Sequence, residues 1–162
     1  MQHGFRRNSR SNYCQRGLPI KSTSCQIAKE KIFLIRLDRG EEIVTSLLKF
    51  IQEKKLKGGF LFGIGAVDKA KLAHYSVSKK RYTEKEFLLP LELTSLQGDL
   101  AFLKGKPLLH LHATFAKKDF SLLGGHLVEA RISGTGEIIF FPFTKKQAKA
   151  FDQETGLNIF KI

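Results

Sequence analysis

Three histidines in two short segments carry the clearest chemical signal in this sequence. His110 and His112 lie in the run LLHLHAT, and His126 lies in GGHLVEA, beyond a polar stretch. A neutral imidazole is the commonest protein ligand for zinc and its neighbouring transition metals. Three imidazoles leave one coordination position open, as in catalytic zinc sites. The three side chains therefore predict a metal site with an open or exchangeable position.

The predicted backbone brings these histidines together. Residues i and i+2 of a strand point to the same face, so His110 and His112 share a face if residues 107–115 form a strand. Asp119 lies midway between His112 and His126, and a hairpin centred there places those two histidines opposite each other. Opposed Cβ atoms lie about 4.5–5.5 Å apart, which suits ligands of one ion. A register shift of one residue would remove this arrangement, and the histidines would then serve the sheet by hydrogen bonds.

Other titratable residues near these motifs are less suited to the site. Glu129 follows His126 by three residues, so its side chain points away in a regular strand. Only a β-bulge, or a role in holding a ligand in place, would bring it to the site, and we do not count it as a ligand. His74 falls in a different strand and His3 in the N-terminal segment. Three imidazoles suit zinc, nickel, cobalt, copper or iron.

Many strands and one main helix must position this site. Apolar and β-branched runs between turn residues predict strands over residues 31–37, 60–67, 71–76, 81–88, 91–103, 107–115, 126–141 and 157–162. Helical spacing of apolar residues predicts a main helix over residues 41–54, and residues 144–150 are predicted as a second, short helix. One early helix and many strands with short links predict an α+β fold, with a largely antiparallel sheet and the main helix packed on it.

Local patterns define the main helix and the strand after it. Asp38 can cap the helix, and Glu41 three residues later completes a capping box. Cations and glycines at residues 54–59 predict its end. Its inward face is predicted from the apolar residues Ile43, Leu47, Leu48 and Ile51. Gly63 and Gly65 in the next strand indicate a bulge or a close approach by another backbone.

The chain is strongly basic throughout. Its 162 residues carry 28 Lys and Arg against 15 Asp and Glu, a formal net charge of +13. Residues 1–30 hold six of these cations and one acid, so the rest of the chain is basic as well. This balance favours polyanions such as nucleic acid, although a basic protein need not have such a partner. Residues 1–29 lack periodicity and predict a disordered basic arm, followed by one domain over residues 30–162.

Cysteine usage and hydropathy bear on location. Cys14 and Cys25 fit no zinc or redox motif and indicate free thiols in a reducing compartment. No apolar run approaches the roughly 20 residues of a membrane helix, and no secretory signal core is evident near the N-terminus. We therefore expect a cytoplasmic protein that does not enter a membrane.

Five motifs in order resemble the PPC domain, the "plants and prokaryotes conserved" family, over roughly residues 31–160. They are RLDRGEE at 36–42, GIGAV at 63–67, PLELTSLQG at 90–98, PLLHLHAT at 107–114 and GGHLVEA at 124–130. The last two, which contain the three histidines, carry the resemblance most strongly.

The resemblance implies an antiparallel sheet with a helix packed on it, assembled as a homotrimer. His110, His112 and His126 resemble a metal site of prokaryotic relatives. Zn²⁺ is the metal usually suggested for that site. Plant members join the domain to an AT-hook and act in nuclear DNA-binding proteins. This chain has no Arg-Gly-Arg-Pro AT-hook, and Pro90 stands where the plant pattern has Arg.

These observations leave three hypotheses for function. The first is a homotrimeric, metal-containing DNA-binding protein that contacts phosphates by charge, with low sequence specificity. The second is a metal-dependent, hydrolase-like enzyme or a small-molecule binder of unknown substrate, in which zinc would activate water. For this second hypothesis the sequence offers no obvious general base. The third is a trimeric scaffold whose metal is purely structural.

Overall fold

Strand pairing closes four strands of the main sheet into a ring. The structure is a computed structural model that describes residues 21–27 and 30–161. Its elements are β1 (Lys21–Ile27), β2 (Glu30–Leu37), α1 (Ile43–Glu53), β3 (Gly59–Ser76), β4 (Arg81–Phe87), β5 (Leu91–Leu103), β6 (Lys106–Ala116), β7 (Leu122–Pro142), β8 (Lys149–Phe151) and β9 (Asn158–Phe160). The seven-stranded sheet has the order β1-β2-β7-β6-β5-β3-β4, and β7 also pairs with β3. All of its pairings are antiparallel, which confirms the predicted fold class of sheet and single helix.

The long strands β3 and β7 link the two halves of the sheet. Sequence patterns predicted two strands at 60–67 and 71–76, but β3 runs through both without a break. Its first half pairs with β5, its second half with β4, and both halves pair with β7. Between the predicted strands, Lys69 and Ala70 pair with Arg131 and Ala130 of β7, and the register shifts at Asp68. β3 therefore connects the site region to the rest of the core.

The helix α1 covers the sheet with one apolar face. Its buried residues pack into the core beside β7 and β6, and they are Ile43, Leu47, Phe50 and Ile51. The Phe50 ring meets the Phe33 ring edge-on, with 5.3 Å between ring centroids. Among the residues that the structure describes, no helix is long and apolar enough to cross a membrane.

The N-cap of α1 differs from the prediction. Glu42, and not Asp38, caps the helix: its carboxylate accepts hydrogen bonds from the backbone N–H groups of Val44 and Thr45, at 2.9 and 2.6 Å. Glu41 does reach back to the Asp38 N–H, at 2.6 Å, as in a capping box, but this bond closes the turn before the helix. The backbone of Glu42 is extended where the chain enters the helix. In this conformation its long side chain reaches the first free N–H groups of the helix.

The glycines of β3 allow close backbone contact, as predicted. The β3–β5 register shifts between Gly63 and Gly65, which is the predicted bulge. A Cβ atom at Gly63 would lie 2.6 Å from the Glu137 carbonyl oxygen, and one at Gly65 would meet the Thr135 carbonyl oxygen. Any larger residue here would push β3 away from β7, so the glycines fit the point where the ring of strands closes.

Two segments differ from the predicted secondary structure. Residues 144–150 were predicted to be helical, but β8 pairs with β9, and Gln147 exchanges backbone hydrogen bonds with Phe102 and Lys57 instead of with its own turn. β1 lies within the predicted arm, and it pairs along the whole edge of β2. Edge pairing uses backbone groups, so a polar sequence does not prevent it. Residues 1–20, 28 and 29, which include His3 and Cys14, lie outside the described residues.

Candidate metal centre

The hairpin of β6 and β7 brings the three predicted histidines together. His112 pairs directly with His126 in the ladder, as predicted from a hairpin centred on Asp119. His110 lies two residues before His112 on β6, on the same face. One ligand nitrogen from each imidazole lies within 4.8 Å of the others. Zn–N bonds are about 2.0–2.1 Å long, so the nitrogens are close to the separation of ligands that share one ion.

Burial keeps two of these imidazoles neutral. Burial, assisted by the neighbouring imidazoles and the Lys149 ammonium, lowers the pKa of His126 to about 4. Partial burial and the charge of His110 lower the pKa of His112 below its usual range. A neutral imidazole keeps a lone pair that a metal ion can use. The cluster therefore offers metal-ligand donors at neutral pH.

One nitrogen of the site lacks a protein partner. Nδ1 of His126 is buried and makes no hydrogen bond among the residues that the structure describes. A buried polar atom without a partner costs about 1–3 kcal/mol, and native proteins usually satisfy it. Coordination of an ion would satisfy this nitrogen, so the donor set fits a metal of the kind that imidazole prefers.

The site contains a carboxylate that sequence reasoning missed. Asp99 on β5 is the ladder partner of His110, and its Oδ2 lies 3.5 Å from the His110 Nδ1. Its Oδ1 lies 2.7 Å from Nζ of Lys149, whose side chain is only 3% exposed. Burial alone would raise the pKa of Asp99, but the contacts with His110 and Lys149 outweigh it and hold the pKa below its usual range. In the sequence, the apolar neighbours of Lys149 were the only sign that this lysine is buried. They do not indicate that its partner is Asp99.

Two tyrosines border the site on its other side. The Tyr82 ring centroid lies 5.3 Å from that of His126, and Tyr75 lies 4.8 Å beyond Tyr82. The Tyr75 hydroxyl donates to the carbonyl oxygen of Thr155, at 2.8 Å. These rings shield one flank of His126 from water, while His110 and His112 remain exposed.

The other candidates lie apart from the cluster. The carboxylate of Glu129 lies 2.8 Å from Nζ of Lys69, and it is not among the grouped ligands. His74 is exposed on β3 and pairs with Thr83 of β4.

Comparison with known proteins places the chain in a family. The profile of the Plants and Prokaryotes Conserved (PCC) domain matches residues 26–144. The chain belongs to the PCC domain family. This is the family, also written PPC, whose motifs the sequence resembles. A search of curated proteins gave no match.

Solved structures of PCC-like proteins share the fold. A metal-containing protein of Archaeoglobus fulgidus is 30% identical, with a TM-score of 0.76 over 88% of this chain and 98% of that one. A candidate DNA-binding protein of Bacteroides thetaiotaomicron is 28% identical, with a TM-score of 0.80 over 86% and 96% of the two chains. A PPC protein of Pyrococcus horikoshii, at 24% identity and a TM-score of 0.75 over 88% and 95%, supports the fold alone.

Proposed function

We propose that this PCC protein binds one divalent transition-metal ion, with Zn²⁺ the first candidate, through His110, His112 and His126. The observation that carries the proposal is the convergence of three imidazoles from β6 and β7 within 4.8 Å. The similarity to a metal-containing relative supports it. When bound, such an ion would act as a Lewis acid and would lower the pKa of a coordinated water.

The proposal includes assembly as a homotrimer, which the family resemblance implies. An exposed apolar patch on the sheet supports self-association: Leu34, Phe60, Phe62 and Ile64 are each at least 41% exposed. The patch borders a groove of about 990 Å³. Monomeric proteins rarely leave large contiguous apolar patches in water without a partner.

Association with DNA through charge is the second part of the proposal. Four lysines line one groove of about 690 Å³ between α1 and the β5–β6 turn: Lys55, Lys57, Lys145 and Lys146. No acidic residue lines this groove, and none of the four has an ion-pair partner among the described residues. Unpaired cations in one groove suit a phosphate backbone. The relative of Bacteroides thetaiotaomicron, described as a candidate DNA-binding protein, favours the same partner.

A metal-dependent enzyme or small-molecule binder is the alternative. Three protein ligands would leave a coordination position open, and His110 and His112 are solvent-exposed. Asp99 is the one carboxylate in contact with the cluster, but Lys149 already occupies its Oδ1. The carboxylate that the described part of the chain brings to the cluster is thus ion-paired with Lys149 and faces His110, and we rank this alternative second.

Metal content tests the proposal directly. Elemental mass spectrometry of untagged wild-type protein should find a transition metal near one equivalent per chain, and His112→Ala should lose it. A matched control is His74→Ala, because His74 is exposed and lies outside the cluster. It should keep the metal.

The outcomes separate the hypotheses. Metal in the wild type and in His74→Ala, with none in His112→Ala, supports the three-histidine site. If His112→Ala also dissociates or melts the assembly, the metal is structural. Absence of metal from wild-type protein, even after reconstitution with Zn²⁺, would refute the proposed site and leave the histidines as residues of the sheet.

A further inference from the structure

The C-terminal segment, residues 145–161, contacts neighbours of the histidine cluster, and it lies beyond the residues that the family profile matches. The PCC profile ends at residue 144. The segment beyond it forms β8 and β9, and the backbone of Phe102 on β5 donates to the Gln147 carbonyl, at 2.9 Å. This fixes β8 beside β5, next to the strand that carries His110.

Lys149 of this segment is a buried cation. Its side chain is 3% exposed, and its Nζ lies 2.7 Å from the Asp99 Oδ1 and 4.7 Å from the Phe160 ring centroid. Lysine is rarely buried without a partner, because removing an ammonium group from water is costly. The ion pair with Asp99 is thus what allows Lys149 to be buried, and in turn it holds the Asp99 carboxylate in place.

Asp99 transmits this position to His110. The two residues are paired across β5 and β6, and the second carboxylate oxygen of Asp99 faces the His110 Nδ1 at 3.5 Å, the long end of hydrogen-bonding distance. A carboxylate accepts hydrogen bonds, so it favours the tautomer with the proton on Nδ1. That tautomer leaves the His110 Nε2 lone pair free for an ion.

The same segment also contacts the tyrosines beside His126. The Thr155 carbonyl accepts from the Tyr75 hydroxyl, and Tyr75 packs on Tyr82, which packs on His126. The Lys80 ammonium donates to the Gln153 carbonyl at 2.6 Å. The C-terminal segment is therefore linked to His110 through Asp99 and to His126 through the two tyrosines.

We propose that Asp99, held by Lys149 of the C-terminal segment, is a positioning residue that orients His110 for metal binding. The inference rests on the proposed metal site and extends it to Asp99 and to Lys149, which follows the residues that the family profile matches. Lys149 positions Asp99, and Asp99 orients His110. Partners of metal-ligating histidines commonly change metal affinity by about 10–100-fold when removed.

The first test is Zn²⁺ affinity, measured by competition with a chromophoric chelator. Asp99→Ala should weaken Zn²⁺ binding by about 10–100-fold, and Lys149→Met should weaken it in the same direction. Lys145→Met is the matched control, because it removes the same charge from an exposed position of the same segment, and it should bind as the wild type does.

A double variant guards against misfolding. Lys149→Met alone leaves the Asp99 carboxylate without its cation, which can destabilise the fold. Asp99→Asn with Lys149→Met removes both charges together, and its metal-free unfolding midpoint should stay near that of the wild type. Its Zn²⁺ affinity should still fall, because a neutral amide fixes the His110 tautomer less firmly than a carboxylate does.

A readout of the tautomer separates positioning from a merely structural role. Long-range ¹H–¹⁵N spectra of metal-free protein should show His110 protonated on Nδ1 in the wild type, and Asp99→Ala should shift it towards the Nε2–H form. The tautomer of His112 should not change.

Each outcome bears on the inference. Wild-type Zn²⁺ binding with unchanged affinity and an unchanged His110 tautomer in Asp99→Ala would overturn the positioning role and leave the proposed function intact. No Zn²⁺ binding by the wild type would overturn both. Weakened binding together with the tautomer shift would establish Asp99 as the positioning residue.

Discussion

At the scale of single residues, the site depends on unequal burial of similar groups. His126 lies half-buried between Tyr82 and the β6 imidazoles, and that burial holds its pKa at about 4. The His110 side chain is 46% exposed, and its Nδ1 faces the Asp99 carboxylate at 3.5 Å. One deeply placed ligand and two accessible ones give a site that is formed by the fold and still open to solvent.

Gly98 is the residue whose lack of a side chain most directly affects the site. A Cβ atom at position 98 would meet the His110 carbonyl oxygen and would lie 2.9 Å from the Leu111 Cα. Since these are backbone atoms, a rotamer change cannot relieve the contact. We predict that Gly98→Ala lowers the free energy of unfolding by about 1–3 kcal/mol, measured by urea denaturation of metal-free protein.

The control for this prediction is Gly134→Ala. A Cβ atom there would lie 3.5 Å from the Ala66 Cβ, an ordinary van der Waals contact. Gly134→Ala should change stability little. Equal stability of the two variants would show that β5 and β6 can separate without cost, contrary to the close approach seen here.

At the scale of elements, one face of the sheet carries both the apolar patch and the histidines. Residues paired in a ladder share a face, and the pairs run from Phe60 to Asp99 and from Asp99 to His110. A second row runs from Phe62 through Gln97 to His112. Because β3, β5 and β6 are consecutive in the sheet, a subunit seated on the patch would lie beside the metal site.

The apolar patch makes a prediction about assembly. Ile64 is 57% exposed on β3, so Ile64→Glu should not disturb the monomer. It should, however, place a charge in the proposed interface and dissociate the proposed trimer, because burying an unpaired charge is costly. Sedimentation equilibrium of both proteins measures the change in mass.

A suitable control is Val77→Glu. Val77 is 55% exposed, but it lies after the end of β3, in the turn towards β4. This variant should sediment as the wild type does. A wild-type protein that sediments as a monomer, or an Ile64→Glu variant that keeps the wild-type mass, would contradict the proposed interface.

At the scale of the whole molecule, the excess of positive charge is not evenly paired. Several cations of the sheet are neutralised, as where Lys69 contacts Glu86 and Glu129 and where Lys71 contacts Glu84. The lysines around the groove at the end of α1 have no acidic partner among the described residues. In the described part of the chain, four lysines without an ion pair therefore line the same groove.

We predict that this groove supplies most of the affinity for DNA. A variant with Lys55, Lys57 and Lys145 changed to Gln should bind duplex DNA more weakly, because fewer phosphates are neutralised. The slope of log K against log salt should then become shallower by about 0.9 for each phosphate that the variant no longer neutralises. Binding of a fluorescent duplex, measured by anisotropy over a range of salt concentrations, gives both the affinity and the slope.

The matched control changes Lys79, Lys117 and Lys118 to Gln. It removes the same charge from turns far from the groove, so it should reduce affinity less and leave the slope closer to the wild type. Equal effects of both variants would mean that binding depends on net charge alone. No detectable binding of wild-type protein near physiological salt would refute the DNA proposal.

The sequence alone determined the parts of this protein that depend on local patterns. Period-2 runs located most strands, and the equal distances from Asp119 to His112 and His126 predicted their pairing, because a hairpin's register follows from its turn. The family motifs and the charge were equally local. Local patterns misplaced the N-cap at Asp38 and predicted a helix at residues 144–150, where backbone pairing with distant segments competes with local preference.

Only the tertiary structure decided which distant groups surround the histidines. Asp99 and Lys149 are far apart in the sequence, and they meet because the C-terminal segment packs against β5. The continuity of β3 and its second pairing with β7 likewise depend on both neighbours being present. A side chain's own sequence context indicates its chemistry, but its partners depend on which strands become adjacent, and that adjacency is a property of the whole fold.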